Sequence, residues 1–198
     1  MAAHPGPDFS RFKLTMLSRQ TLWYRIHESR HGAVYFGQKR CRGRFDDPLR
    51  RYGVLYAGAD ELCAFVETFG HDTGRNLVRA AQLNATALAV LRFRRPLRLA
   101  DLRNARLARL GADSRLFADA DYAVPQRWSR AIFEHPSKPD GILYNARHDP
   151  AKVCVALFDR AGRGNKKTIV VSQSIPLDPV LQGRRIGKWL NYYNFGFM

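Results

Sequence analysis

The stretch Tyr56-Ala-Gly-Ala-Asp-Glu-Leu-Cys-Ala-Phe-Val-Glu67 marks the place where a short strand passes into a helix. Asp60 is a favourable N-cap residue, and Gly70 is a favourable residue for the end of a helix. Between them, apolar residues recur at the helical spacing i, i+3, i+4 and i+7, namely Leu62, Phe65, Val66 and Phe69. Residues 53–57 before them have a strand-like pattern, so the sequence predicts a strand followed by a short amphipathic helix.

Glu67 lies beside the apolar stripe of this helix and not on it. A carboxylate in that position can stand at the edge of the core and face a cleft. Two upstream segments each carry an arginine, Arg25 and Arg44, that would keep Glu67 ionised and hold phosphate. This combination suggests a site for a charged, sugar-containing ligand. The alternative is a solvated glutamate on an exposed helix surface.

The rest of the chain alternates between strand-like and helical patterns. Strands are predicted at residues 22–26, 53–57, 85–94, 141–144, 153–158 and 168–172, and the third is expected to resume at 97–99 after Pro96 interrupts it. Helices are predicted from Asp101 to Gly111 and from Pro125 to the residue before Pro136. Strands early, helices in the middle and strands late predict an α+β fold with a mixed β-sheet core.

The length of 198 residues suits a single domain. The first ten residues are rich in Pro and Gly, so we assign residues 1–20 to an N-terminal arm and lead-in and residues 21–198 to the domain. The N-terminus lacks the charged start and apolar stretch of a signal peptide, and no run approaches the length of a membrane span. We therefore expect a cytoplasmic protein with no membrane partner.

The cysteines and histidines do not predict a metal site. Cys41, Cys63 and Cys154 lie far apart and form no Cys-x-x-Cys pair, and the histidines show no consistent metal-ligand spacing. We expect free thiols, with Cys63 and Cys154 in the core, and no metal cofactor.

The formal net charge is +16, and most of the 33 basic residues are arginines. Arginine binds phosphate and carboxylate groups bidentately, so the charge favours an anionic partner: nucleic acid, a dinucleotide or an acidic protein. The basic helix with Arg103, Arg106 and Arg109 would suit a nucleic-acid-binding module. No recognisable nucleic-acid-binding motif accompanies it, so nucleic acid is not expected as the primary partner.

A set of short motifs occurs in a defined order along the chain. The motifs are Tyr24-Arg-Ile26, Gly43-Arg-Phe45 with Pro48, Val54-Leu-Tyr-Ala57, the helix with Glu67, and Asp140-Gly-Ile-Leu-Tyr144. In order and spacing this set resembles the RES-domain family, the toxins of bacterial toxin–antitoxin pairs that destroy NAD. The resemblance covers residues 22–158, and it rests on the ordered combination because no single motif is specific.

The resemblance implies a fold akin to that of ADP-ribosyltransferases, with a cleft for NAD. It also implies a small Xre-like antitoxin as partner; the oligomeric state is left open. The family's arginine and glutamate map onto Arg44 (or Arg25) and Glu67. Its serine falls in residues 144–147, where this chain has Ala146. We expect Asn145 to supply the polar group; the alternatives are Ser172 or Ser174, or an impaired site.

The residue types suit cleavage of the nicotinamide–ribose bond. That reaction passes through an oxocarbenium-like centre, which the carboxylate of Glu67 would stabilise. Arg25 and Arg44 would clamp the pyrophosphate. Tyr56 and Tyr24 would stack on nicotinamide, with core packing as the alternative for both rings.

These expectations amount to an NAD-consuming toxin that uses phosphate or water as acceptor. One alternative is ADP-ribosyl transfer to a protein, which uses the same carboxylate but needs a surface that recognises the target. The other alternative, from a different class, is a basic nucleic-acid-binding module.

Overall fold

The computed structural model describes residues 12–37, 43–71, 74–160 and 168–198. The strands are β1 (Leu14–Leu17), β2 (Trp23–Glu28), β3 (Val54–Gly58), β4 (Leu77–Val78), β5 (Thr86–Phe93), β6 (Leu97–Asp101), β7 (Gly141–Asn145), β8 (Val153–Phe158), β9 (Ile169–Pro176) and β10 (Gly196–Phe197). The helices are α1 (Glu61–Phe69), α2 (Ala80–Asn84), α3 (Ala105–Arg109), α4 (Arg115–Ala118), α5 (Ala123–Glu134) and α6 (Gly183–Tyr193).

Eight of the strands form one sheet in the order β1-β6-β7-β8-β3-β2-β5-β9. The β6–β7 pair is parallel and the other pairs in this sheet are antiparallel. Strands β4 and β10 form a separate short parallel ribbon. The predicted α+β fold with a mixed sheet, in which strands distant in sequence become neighbours, is confirmed.

Helix α1 begins and ends as its sequence predicts. The Asp60 side chain accepts a hydrogen bond from the backbone N–H of Cys63 at 2.7 Å, which caps the first turn. The helix buries the face that carries Cys63, Phe65 and Val66, and it ends at Gly70. This packing fixes the rotation of α1, so Glu67 is held beside the buried face.

Alternation along the central strands sorts side chains between the two faces of the sheet. In β7, Ile142 and Tyr144 join a cluster with Phe45 and Trp128, whereas Leu143 joins a cluster on the opposite face with Trp23 and other residues. Helices α3, α4 and α5 contribute to the first cluster, and α1 and α6 pack together in a third. The candidate site lies between the helices of the first and third clusters.

Strands β2 and β3 are neighbours but share only one residue pair in register, Tyr24 with Gly58. Beyond that pair, the guanidinium of Arg25 on β2 donates to the backbone oxygen of Tyr56 on β3 at 2.7 Å, and to that of Tyr35 at 3.4 Å. A side chain thus takes the place of ladder hydrogen bonds. The two strands diverge, and the gap between them opens a cleft in the middle of the sheet.

One strand prediction differs from the structure. Residues 97–99 do not continue the strand of residues 85–94: β5 lies between β2 and β9, whereas β6 lies between β1 and β7. Pro96 cannot donate to a ladder, and the chain crosses to the other part of the sheet after it. The sequence did not predict β1, which lies within the assigned lead-in, or the amphipathic helix α6.

Cys63 and Cys154 are buried and free, as predicted, whereas Cys41 lies outside the described residues. Among the residues whose positions are described, no cluster of His, Cys, Asp and Glu has the arrangement of a metal site. Within the same parts of the chain, no helix has the length and apolar character needed to cross a membrane.

Candidate functional site

The gap between β2 and β3 continues into a cavity of about 290 Å³. Its walls come from these two strands, from α1, and from the segments around Arg44 and Tyr144. The cavity brings together all of the predicted site residues except one: Tyr24, Arg25, Arg44, Tyr56 and Glu67. Its volume is at the lower end of the range of roughly 300–1,000 Å³ found for small-molecule sites.

Glu67 projects from α1 into this cavity. Its Oε1 accepts hydrogen bonds from the backbone N–H groups of Arg147 at 2.9 Å and His148 at 3.1 Å. Burial raises the pKa of Glu67 above its ordinary value, although the two N–H groups and the cationic forms of His71 and Arg44 act in the opposite direction. The carboxylate is therefore half-buried, oriented by the backbone and short of full solvation.

Arg44 lies on a buried segment and is held by backbone oxygens. Its guanidinium donates to Asp119 at 2.8 Å and to Leu116 at 3.4 Å, and it stacks on the Tyr122 ring with 4.6 Å to the ring centroid. Burial lowers the pKa of Arg44, and the nearby Arg147 acts in the same direction, whereas Glu67 raises it. Arg44 thus contributes a fixed positive charge near the carboxylate.

Arg25 is half-buried and lines the cavity from β2. Its terminal nitrogens donate to the backbone oxygens of Tyr56 on β3 and of Tyr35, and its Nε has no hydrogen-bond partner among the described residues. Burial lowers the pKa of Arg25 to about 10, which still leaves it cationic at neutral pH. Arg25 therefore combines two tasks: it keeps the cleft open and places positive charge on its wall.

Tyr56 presents its ring to the cavity while its hydroxyl holds the segment that carries Arg44. The hydroxyl donates to Oδ1 of Asp46 at 2.8 Å and accepts from the N–H of Phe45 at 2.9 Å. A side chain at Gly43 would bring its Cβ to 2.5 Å from this hydroxyl, so the glycine of the Gly43-Arg-Phe45 motif is required by close approach. Tyr24 is half-buried and lines the cavity from β2.

The structure does not bring Asn145 to the other predicted residues. Its Nδ2 donates to the backbone oxygen of Pro150 at 2.9 Å, and it lines a second cavity of about 420 Å³. Ala146 is buried and lines that second cavity as well. Ser172 is exposed, and Ser174 lies 3.5 Å from Nε2 of His27, so neither serine lines the cavity of Glu67.

Several residues that line the first cavity were not predicted as site residues from the sequence. Its walls also include Arg147, His71, Tyr122 and Tyr144. The signal for Arg147 was present, because it follows the Asp140-Gly-Ile-Leu-Tyr144 motif closely. His148 lies next to Arg147; burial, then His71 and Arg147, lower the pKa of His148 to about 4, so its ring is neutral at neutral pH.

The basic helix that suggested nucleic-acid binding is short and partly neutralised. Helix α3 spans only Ala105–Arg109, and Arg103 before it donates through Nε to Oδ1 of Asp101 at 2.9 Å. Arg106 also forms an ion pair with Asp101. Arg103 and Arg106 are therefore both paired with the buried carboxylate of Asp101, and this pairing weakens the case for a phosphate-binding helix.

Comparison with known proteins gives consistent matches. The model of the RES domain family matches residues 22–179. The curated protein "Probable toxin y4kH" of Sinorhizobium fredii (strain NBRC 101917 / NGR234) is 37% identical over 81 residues, which are 41% of this chain and 63% of that protein. The chain thus spans slightly less than two thirds of the length of this curated relative.

A solved structure has a similar fold. The crystal structure of the M. tuberculosis MbcT–MbcA toxin–antitoxin complex contains a chain that superposes with a TM-score of 0.68 and 19% sequence identity. The match covers 85% of this chain and 90% of the other. At this identity the likeness establishes a common architecture.

Proposed function

The chain belongs to the RES domain family, whose model matches residues 22–179, and on that premise we propose that it consumes NAD by cleaving the nicotinamide–ribose bond. The observation that carries the proposal is the carboxylate of Glu67, fixed by two backbone N–H groups on the wall of a cavity that also contains Arg25 and Arg44. A preorganised carboxylate on the wall of a cavity stabilises positive charge that develops in the transition state.

The bond that breaks joins the ribose anomeric carbon to the ring nitrogen of nicotinamide. Its electron pair leaves with nicotinamide, and the ribose becomes oxocarbenium-like, so Glu67 gains interaction energy in the transition state. Water or phosphate then attacks the anomeric carbon. Attack by water gives ADP-ribose and a proton, and attack by phosphate gives a phosphorylated ADP-ribose.

The other cavity residues would bind and orient the dinucleotide. Arg44 and Arg25 supply positive charge for its pyrophosphate. The rings of Tyr24 and Tyr56 supply apolar surface for nicotinamide. Asn145 has no part in this proposal, because its amide is bonded to Pro150 and lies outside the cavity.

We further propose that the protein is the toxin of a cytoplasmic toxin–antitoxin pair, neutralised by an Xre-like antitoxin. A relative named as a probable toxin and a fold neighbour that was crystallised as a toxin–antitoxin complex support this role. Co-expression with the adjacent gene product, followed by purification of the complex, tests the partner. A toxic chain that no neighbouring gene product neutralises would contradict it.

The enzymatic proposal is tested by incubating the purified chain with NAD, with and without phosphate, and by identifying the products. Release of nicotinamide in the absence of any protein target is the expected result. The dependence on phosphate then identifies the acceptor. Transfer of label to a protein would instead indicate an ADP-ribosyltransferase, and intact NAD together with salt-sensitive nucleic-acid binding would contradict the proposal.

A further inference from the structure

We propose that Arg147 binds a phosphate-type oxyanion at the junction of the two cavities. It lines both the cavity of Glu67, of about 290 Å³, and the second cavity, of about 420 Å³. The oxyanion is either the pyrophosphate of the dinucleotide or an inorganic phosphate acceptor. The choice between these two oxyanions rests on the proposed function, whereas the existence of the binding site does not.

The backbone of Arg147 is held in place on both sides. Its own N–H donates to Oε1 of Glu67, and the N–H of Ala146 donates to the backbone oxygen of Lys152 at 3.0 Å. The residue therefore leaves strand β7 at a fixed position, directly beside the carboxylate. Arg147 and the Glu67 carboxylate line the same cavity.

The guanidinium of Arg147 is free to bind a ligand. In the parts of the chain that the structure describes, it has no hydrogen bond or ion pair, whereas Arg25 and Arg44 each donate to two backbone oxygens. A guanidinium offers a planar fork of donors that matches two oxygens of a phosphate group. Among the arginines of the first cavity, Arg147 thus has the most unused donors.

The surroundings of Arg147 carry excess positive charge. Arg147 contributes to the lowered pKa of Arg44 and of His148, so the three groups lie close enough to interact. In the first cavity the carboxylate is that of Glu67. In the second cavity it is that of Asp113, which is already paired with Arg115 at 2.6 Å. Two guanidinium groups that repel each other are stabilised by an anion placed between them.

The second cavity gives such an anion room to extend. Its lining combines apolar side chains of α3 and α4, such as Leu107 and Phe117, with the polar residues Asn104, Ser114 and Asn145. A dinucleotide is larger than the first cavity alone. If Arg147 holds the pyrophosphate of the dinucleotide, the two ends of the dinucleotide would occupy one cavity each. If Arg147 holds an inorganic phosphate, that phosphate would enter through the second cavity.

The test measures binding separately from turnover. Inorganic pyrophosphate and inorganic phosphate are titrated calorimetrically into the parental protein and into Arg147→Ala, Arg147→Lys and Arg109→Ala. Arg109 is an exposed arginine on α3, so its variant removes the same charge outside both cavities. Because a hydrogen bond to a charged group contributes about 1.5–3 kcal/mol, Arg147→Ala should weaken the binding of at least one of the two anions about tenfold or more.

Arg147→Lys keeps the charge but loses the fork, so its affinity should be intermediate. Arg109→Ala should bind as the parent does. Equal affinity in the parent and in Arg147→Ala, or no measurable binding of either anion to the parent, would overturn the proposal. Thermal unfolding of all four proteins verifies that each is folded under the conditions of the titration.

Steady-state kinetics then distinguish the two sources of the oxyanion. If the ligand is the dinucleotide pyrophosphate, Arg147→Ala raises the KM for NAD about tenfold. If it is the acceptor, the variant raises the phosphate concentration that gives half-maximal rate and leaves the KM for NAD unchanged. A parent that binds pyrophosphate through Arg147 but leaves NAD intact would contradict the proposed function while supporting this site.

Discussion

The backbone N–H of Arg147 donates to Oε1 of Glu67 at 2.9 Å across a sequence separation of 80 residues. This hydrogen bond joins helix α1 to the segment that follows β7. It orients the carboxylate without neutralising it, since an N–H group carries no net charge. The bond therefore fixes the position of the carboxylate on the cavity wall while leaving its charge available.

Glu67→Gln should reduce NAD consumption by about a hundredfold or more while the protein stays folded. The amide is nearly isosteric, and its oxygen can still accept from Arg147 and His148, so the change removes mainly the charge. Nicotinamide release measures the effect. Glu61→Gln, on the same helix but bound to Arg185 at 3.5 Å, is the matched control and should retain near-parental activity. Near-parental turnover of Glu67→Gln would exclude Glu67 from the mechanism.

The ionisation of Glu67 should also make stability depend on pH. Burial raises its pKa, so the fold favours the protonated carboxyl, and this stabilisation is lost as the pH rises through the raised value. Glu67→Gln cannot ionise. Its stability relative to the parent should therefore increase as the pH rises from about 4 through the raised pKa of Glu67. Urea unfolding at several pH values measures the difference, and a constant difference would contradict the assignment.

Arg44→Ala should raise the KM for NAD and also lower kcat, because the guanidinium is expected both to bind the pyrophosphate and to orient the ribose. It also removes the bonds to Leu116 and Asp119, so Arg44→Lys serves as a second variant that keeps the charge. The KM of Arg44→Lys for NAD should lie between the KM of the parent and that of Arg44→Ala. Unchanged KM and kcat in Arg44→Ala would argue against this role.

Asn145→Ala should leave the rate of NAD consumption within about threefold of the parent, because Asn145 donates to Pro150 and does not reach the cavity of Glu67. This replaces the expectation from sequence that its amide contacts the substrate. Ala146→Ser should likewise give no large gain, since Ala146 is buried and lines the other cavity. A tenfold loss in Asn145→Ala, measured by nicotinamide release, would restore the original expectation.

Gly141→Ala should destabilise the fold by about 1–3 kcal/mol, because a Cβ at this position meets the backbone oxygen of Ala156 and lies 2.9 Å from the Cα of Leu157. Gly187→Ala is the matched control: its Cβ would meet no atom within 4 Å, and it lies inside α6. Alanine there should stabilise the fold by about 0.5–1 kcal/mol. Urea denaturation of both variants measures the free energy of unfolding, which should fall in Gly141→Ala and rise in Gly187→Ala.

Local patterns account for the parts of the structure that the sequence predicted well. The cap at Asp60 and the apolar spacing of α1 involve residues within one or two turns, so their physical cause lies in the adjacent sequence. The strands around Tyr56 and Tyr144 are likewise marked by buried apolar runs. Glu67, Arg44 and Arg25 could be chosen as candidates because residue type and motif order identify charged groups beside such elements.

By itself, the sequence determined the α+β class, helix α1, most of the central strands and the residue types available at the candidate site. Only the tertiary structure decided which of them meet. The divergence of β2 from β3 depends on pairing between distant strands, and the side that Asn145 faces depends on the register of β7 against β8. Whether a guanidinium is occupied, as in Arg44, or free, as in Arg147 among the described residues, depends on long-range hydrogen-bond partners that no local pattern specifies.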